Sequence, residues 1–126
     1  MKHQKIWFKS LLYAINGLLL VTYEKNMRIH ILASVAVILL SYIIGLTFIE
    51  WGFICSAIAL VLTAECFNTC IEYICDMITT DYSTNIKQIK DIAAAAVLIN
   101  TLYALAISCF ILLPKILHLT TYNYVY

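Results

Sequence analysis

The chain has 126 residues, 63% hydrophobic and 12% charged, with a net charge of +1 and a mean hydropathy of +0.92. This balance excludes an ordinary soluble domain and any disordered or collagen-like class, leaving one compact helical unit, residues 1–126, in a membrane. The near-zero charge gives no basic field for nucleic acid, and neither a P-loop nor a GxGxxG is present.

Residues 1 to about 23 read as an amphipathic helix. With Trp7 set at zero, Leu11, Ile15 and Leu18 fall within about 80° on one side, while Lys2, Lys5, Lys9 and Asn16 gather near about 160–220°. A basic face opposite a Trp/Leu/Ile face suits a helix lying in the membrane interface. The competing reading is a signal peptide, but Asn16-Gly17 interrupts its apolar core and no small-residue cleavage site follows. After a polar cluster from Tyr23 to His30, an apolar run over about 29–49 has roughly the 20 residues needed to span a bilayer. Glu50-Trp51-Gly52 reads as a short turn with an interfacial tryptophan.

A second span is expected over about 51–79. Fourteen apolar or small residues, Trp51 to Ala64, precede Glu65, which places that carboxylate about 21 Å along the axis. Thr80 to Lys90 reads as a polar loop containing Asp81, Lys87 and Lys90. A third span follows over about 91–113, where Ala93, Val97, Asn100, Ala104 and Ser108 recur at helical spacing as a face suited to close packing. Pro114, the only proline, falls where that run ends, and the tyrosine-rich tail beyond it suggests no function. Seven basic residues, Lys2, Lys5, Lys9, Lys25, Arg28, Lys87 and Lys90, lie on the side of the N-terminus and second loop, and only Lys115 lies opposite. That asymmetry puts the former side in the cytoplasm.

The second span carries the chemistry. At about 100° per residue, Asn68, Glu72 and Asp76 all fall within about 60° of Glu65. Acids in a membrane helix cost several kcal/mol unless paired, hydrated or metal-bound, so such a stripe implies function. Carboxylates without thiolate or histidine companions suit magnesium bridging to phosphate, and Glu24 with Glu72 is the natural pair if the first two spans pack together. Lys90-Asp91 adds a phosphate-seeking cation, and Glu65, deeper in the membrane, can take a proton from a lipid alcohol. Blander readings exist for several of these residues. Lys90 and Asp91 can be a solvated helix start, Glu24 a local ion pair with Lys25 or Arg28, His30 an interfacial packer and Asp76 a solvated acid. The five cysteines form no CxxC pair and read as small apolar packers in a reducing environment. Intramembrane acids also mark transporters, so a small acid-lined transporter subunit is the alternative. The polar groups crowd one face of the membrane, which favours a site over a conduit.

Three segments together resemble the prokaryotic diacylglycerol kinase family, small membrane lipid kinases that include undecaprenol kinases: Glu24-x-Asn26-x-Arg28-x-His30, Ala64-Glu65-x-x-Asn68-Thr69-x-Ile71-Glu72-x-x-x-Asp76, and Lys90-Asp91-x-Ala93-Ala94-Ala95-Ala96-Val97. The resemblance runs from about Phe8 to Lys115. It implies an all-α integral membrane protein with a surface helix and three transmembrane helices. It also implies a homotrimer in the bacterial inner membrane, with composite sites at the cytoplasmic face. By the same resemblance Glu65 is the general base on the lipid hydroxyl, and Glu24 and Glu72 bind Mg2+ with the ATP phosphates. Asn68, Lys90 and Asp91 position the nucleotide and support the base. Asp81, Tyr82 and Ser83 match a loop that touches nucleotide, and Lys9 and Asn16 are contacts from the surface helix. The implied reaction moves the γ-phosphate of ATP to undecaprenol or diacylglycerol. Ala93-Ala94 stands where branches resembling the Gram-negative diacylglycerol kinases often have Gly-Ser, which leaves the choice of lipid open.

Overall fold

A computed structural model describes residues 2–79 and 81–123, with side chains over 7–79 and 81–118. Four helices follow one another: α1 (Lys2–Val21), α2 (Lys25–Ile44), α3 (Phe48–Ile78) and α4 (Thr84–Asn123). No strand occurs among the described residues. The last three helices are long and apolar enough to cross a membrane. The side chains of Lys2, Lys5 and Tyr122, and the tail residues Tyr124 and Tyr126, lie outside the described residues.

Helix α1 packs only lightly on the other helices, and Val21 near its end is buried. Trp7, Leu11, Ile15 and Leu18 are all exposed, so the apolar face of α1 is largely uncovered by the described residues. That is the condition of a helix whose apolar side is left for lipid.

The helix ends differ from the sequence expectation in ways local chemistry explains. Helix α2 starts at Lys25 and stops at Ile44 rather than running over 29–49, because Gly45 adopts the left-handed conformation (φ 76°) and its N–H bonds back to Ser41 O. This is an αL helix terminator, which glycine adopts without steric cost. Glu50-Trp51-Gly52 is then not a turn but part of the opening of α3. The Thr47 side chain accepts a hydrogen bond from Glu50 N while the Glu50 carboxylate accepts from Thr47 N, a reciprocal capping box that starts the helix at Phe48. Helix α4 begins at Thr84, so Lys87 and Lys90 are helical and the loop shrinks to a few residues around Asp81. Pro114 does not end the last helix, which continues to Asn123. Next to it Lys115 reaches across to Glu50 Oε2 (2.8 Å) and to Gly45 O (3.4 Å), while Leu112 is buried, so this part of α4 is held by its neighbours. Membrane helices tolerate proline where such support exists.

Helices α3 and α4 form the main packing pair, with α2 against both. Ala93 and Val97 are buried on α4 and Asn100, Ala104 and Ser108 are half-buried on the same face, as their spacing predicts. Asn100 and the adjacent Thr101 bond to their own helix: Asn100 Nδ2 donates to Ala96 O and Thr101 Oγ1 to Val97 O, each at 2.9 Å. Two ion pairs clamp α3 to α4, Glu50–Lys115 at one end and Asp76–Lys90 at the other. Along each helix they are about 38 Å apart at 1.5 Å per residue, close to the depth of a bilayer with its interfaces. Helix α2, about 30 Å long, matches the hydrocarbon core alone, whereas α3 is about 46 Å long. With its first turn pinned beside Gly45 by Lys115, the far end of α3 projects beyond the start of α2. All five cysteines are free, and only Cys75 is buried.

Candidate active site

One stripe of α3 builds the centre of the site. Glu65 is 2% exposed and Asn68 4% exposed, buried on the side of α3 that faces α2 and α4. Glu72, one turn beyond Asn68, is half-buried and accepts a hydrogen bond from Asn68 Nδ2 at 3.1 Å. Glu65 makes no side-chain hydrogen bond among the described residues. Helix α3 packs against α2 and α4 and touches α1, and this packing buries the Glu65 carboxylate. Asn68 Oδ1 is buried and has no hydrogen-bond partner among the described residues, an arrangement that costs free energy unless a donor arrives.

Glu24 joins this centre from 49 positions away. Its Oε1 accepts a hydrogen bond from Tyr73 Oη at 2.6 Å, and the fields of both Glu24 and Glu72 reach Tyr73. The local ion pairs open to Glu24 in sequence do not form. Arg28 Nη2 donates instead to Tyr23 O at 2.9 Å, and neither Lys25 nor Arg28 is salt-bridged to Glu24. Asp76 is not a merely solvated acid, because it is the ion-pair partner of Lys90.

Beyond the stripe, where α3 projects, an open pocket of ≈ 430 Å³ lies between the end of α3 and the start of α4. Its lining includes Asp81, Tyr82, Ser83, Lys90 and Asp91, five of the residues expected to meet nucleotide, together with Asp76 and Lys87. Asn68 does not line it but faces a separate groove between α3 and α4, opposite Asn100. Lys9 and Asn16 stand exposed on α1, and among the described residues no hydrogen bond or ion pair ties them to the centre. In the other direction from Glu65 the same stripe turns apolar. Val61, Ile58, Ala57 and Ile54 line a groove of ≈ 200 Å³ with His30 and Val37 of α2 and Ala104 of α4.

Three participants escape a reading of the sequence: Tyr73 as the partner of Glu24, Asp76 as the partner of Lys90, and Lys87 in the pocket wall. The first two contacts join different elements, which helical spacing cannot reveal. Asp76 at least announced itself by sharing the Glu65 stripe.

No group of three or more His, Cys, Asp or Glu among the described residues could cage a metal. Glu24 and Glu72 form a different kind of set. Each has one oxygen engaged by a neutral donor of α3, Tyr73 or Asn68. Magnesium is commonly held by one or two carboxylates plus substrate phosphates and waters, so two carboxylates each oriented by a neutral donor fit that ion without a full protein cage.

Comparison with known proteins identifies the family. The sequence model described as prokaryotic diacylglycerol kinase matches residues 12–112. The undecaprenol kinase of Bacillus subtilis is 33% identical over 111 residues, covering 87% of this chain and 90% of that protein. A diacylglycerol kinase of Helicobacter pylori is 34% identical over 98 residues, 76% of each chain. A diacylglycerol kinase of Synechocystis is 33% identical over 97 residues, 76% of this chain and 55% of its own length. These relatives do not favour the transporter alternative.

Proposed function

The chain belongs to the prokaryotic diacylglycerol kinase family and is a multi-pass membrane lipid kinase; from that premise we propose that it moves the γ-phosphate of magnesium-ATP onto the hydroxyl of undecaprenol or diacylglycerol at the cytoplasmic face of the bacterial inner membrane. Glu65 is the general base. It is buried on the stripe that continues into the apolar groove on one side and toward the charged pocket on the other, and this placement carries the reading. A lipid hydroxyl coming from the membrane reaches Glu65 first, and a nucleotide coming from water reaches Lys90 and Asp91 first.

The division of labour follows from depth. Glu65 lies about 12 Å along α3 from Tyr73, toward the membrane interior, where it accepts the hydroxyl proton as the oxygen attacks phosphorus. Lys90, already held at the pocket edge by Asp76, places a fixed cation against phosphate. Asp81, Tyr82 and Ser83 wall the pocket where the rest of the nucleotide sits. Glu24 and Glu72 hold magnesium, which when bound neutralises charge on the transferring phosphoryl group. Asn68 orients Glu72 and offers its unpartnered Oδ1 to a donor on the substrates. Lys9 and Asn16 act from a neighbouring copy or after α1 shifts, and assembly as a homotrimer supplies such neighbours. The concentration of Lys9, Lys25, Arg28, Lys87 and Lys90 on the pocket side, against Lys115 alone opposite, supports the cytoplasmic orientation.

The test is incubation of the purified protein in mixed micelles with labelled ATP, magnesium and each lipid alcohol in turn. Label in one lipid names the acceptor. Label in neither, from well-folded protein, contradicts the proposal.

A further inference from the structure

Glu24 occupies an unusual position for an acid with so few commitments. It is the N-cap residue of α2, with φ −71° and ψ 136°, yet its side chain makes no cap hydrogen bond. A side-chain oxygen there normally accepts from the free N–H groups of the first turn, and negative charge is favoured by the helix dipole. Both neighbouring cations are also left unused: Arg28 is turned to Tyr23 O, and Lys25 forms no ion pair with Glu24. Among the described residues, the one hydrogen bond to the carboxylate comes from the Tyr73 hydroxyl, at 2.6 Å from Oε1. A neutral donor orients a carboxylate without cancelling its charge. Oε2 has no hydrogen-bond or ion-pair partner among the described residues, which leaves it available to a cation.

We propose that Tyr73 is a positioning residue for the divalent cation, holding Glu24 away from its own helix cap so that Glu24 and Glu72 can ligate together. The inference rests on the metal reading of Glu24 and Glu72 given above. Asn68 plays the matching part for Glu72, within one helix, by its 3.1 Å bond to Oε1. Tyr73 does so across elements, and it thereby links the α1–α2 junction to α3 at the level of the site.

The experiment compares the full-length protein with Tyr73→Phe, Glu24→Gln and the double variant in detergent micelles. Phenylalanine keeps the ring and removes only the hydroxyl. Two quantities are measured: Mn2+ binding by electron paramagnetic resonance in the presence of a non-hydrolysable ATP analogue, and the Mg2+ concentration giving half-maximal turnover. Tyr73 is partly exposed, so water replaces some of what is lost, and the expected weakening for Tyr73→Phe is about threefold to tenfold in both. At saturating Mg2+ kcat should stay within about twofold of the parent. Glu24→Gln should weaken Mn2+ binding at least as much, and adding Tyr73→Phe to it should change nothing further. Unchanged Mn2+ affinity in Tyr73→Phe, or independent weakening in the double variant, overturns the inference. So does a fall in kcat with metal affinity unmoved. If Glu24→Gln itself leaves Mn2+ affinity unmoved, the metal reading of Glu24 fails first, a result distinct from failure of Tyr73→Phe alone.

Discussion

Asp76 and Lys90 meet across the α3–α4 gap from 14 positions apart, and their pairing changes what each can do. Asp76 keeps 64% of its side-chain surface and Lys90 34%, so solvent screens the bridge and it adds little to stability. Its effect lies in placement: Lys90 is held at the rim of the pocket before any phosphate arrives. Asp76→Asn should therefore change thermal stability little yet raise KM for ATP severalfold, and Lys90→Ala should raise it further. Steady-state kinetics checks both, and a lower KM in Asp76→Asn would show that the acid repels nucleotide instead. At this scale the sequence discloses what a single helix can disclose. Glu65, Asn68 and Glu72 share a face because of their spacing, and α3 presents them together. The partners of Glu24 and Lys90 come from other elements, and no periodicity encodes a contact between residues 24 and 73.

Among the helices, existence and order follow from apolar runs, whereas the ends follow from caps. Gly45 ends α2 because its φ of 76° lies where a Cβ is unfavourable, although an added Cβ there would meet no atom within 4 Å. The cost of Gly45→Ala is thus purely conformational, about 1 kcal/mol or slightly more. Gly17, inside α1 and also without close neighbours, should behave in the opposite way, with Gly17→Ala stabilising by about 0.5–1 kcal/mol. Equilibrium unfolding in mixed micelles distinguishes the two, and equal shifts of one sign contradict the assignment of Gly45 as a helix terminator. The Thr47–Glu50 capping box is present in the sequence as Thr-x-x-Glu but lies within an apolar run long enough to be read as part of the preceding span. Pro114 misleads for a related reason. Proline stops an unsupported helix, but here Lys115 and Leu112 tie α4 to its neighbours on either side of it.

Across the whole molecule the polar chemistry is sorted by depth. Ion pairs fix both ends of the α3–α4 hairpin, an apolar groove occupies its middle, and the acids and the open pocket share one end. That sorting is legible in the sequence, because Trp51 to Ala64 contains no ionisable side chain apart from Cys55, and the acids crowd residues 65–76. The meeting of a membrane-facing groove and a water-facing pocket on either side of Glu65 is not, since it depends on how far α3 outruns α2. Glu65 is the point at which the two substrates must meet. The decisive measurement is label transfer from γ-labelled ATP to lipid by Glu65→Gln beside the parent protein, with nucleotide binding recorded on the same micellar samples. Glutamine preserves shape but cannot accept the proton, so transfer should fall by at least about a hundredfold while nucleotide affinity stays within about threefold of the parent. Transfer within tenfold of the parent, with nucleotide binding intact, would contradict Glu65 as the base and with it the account of the site.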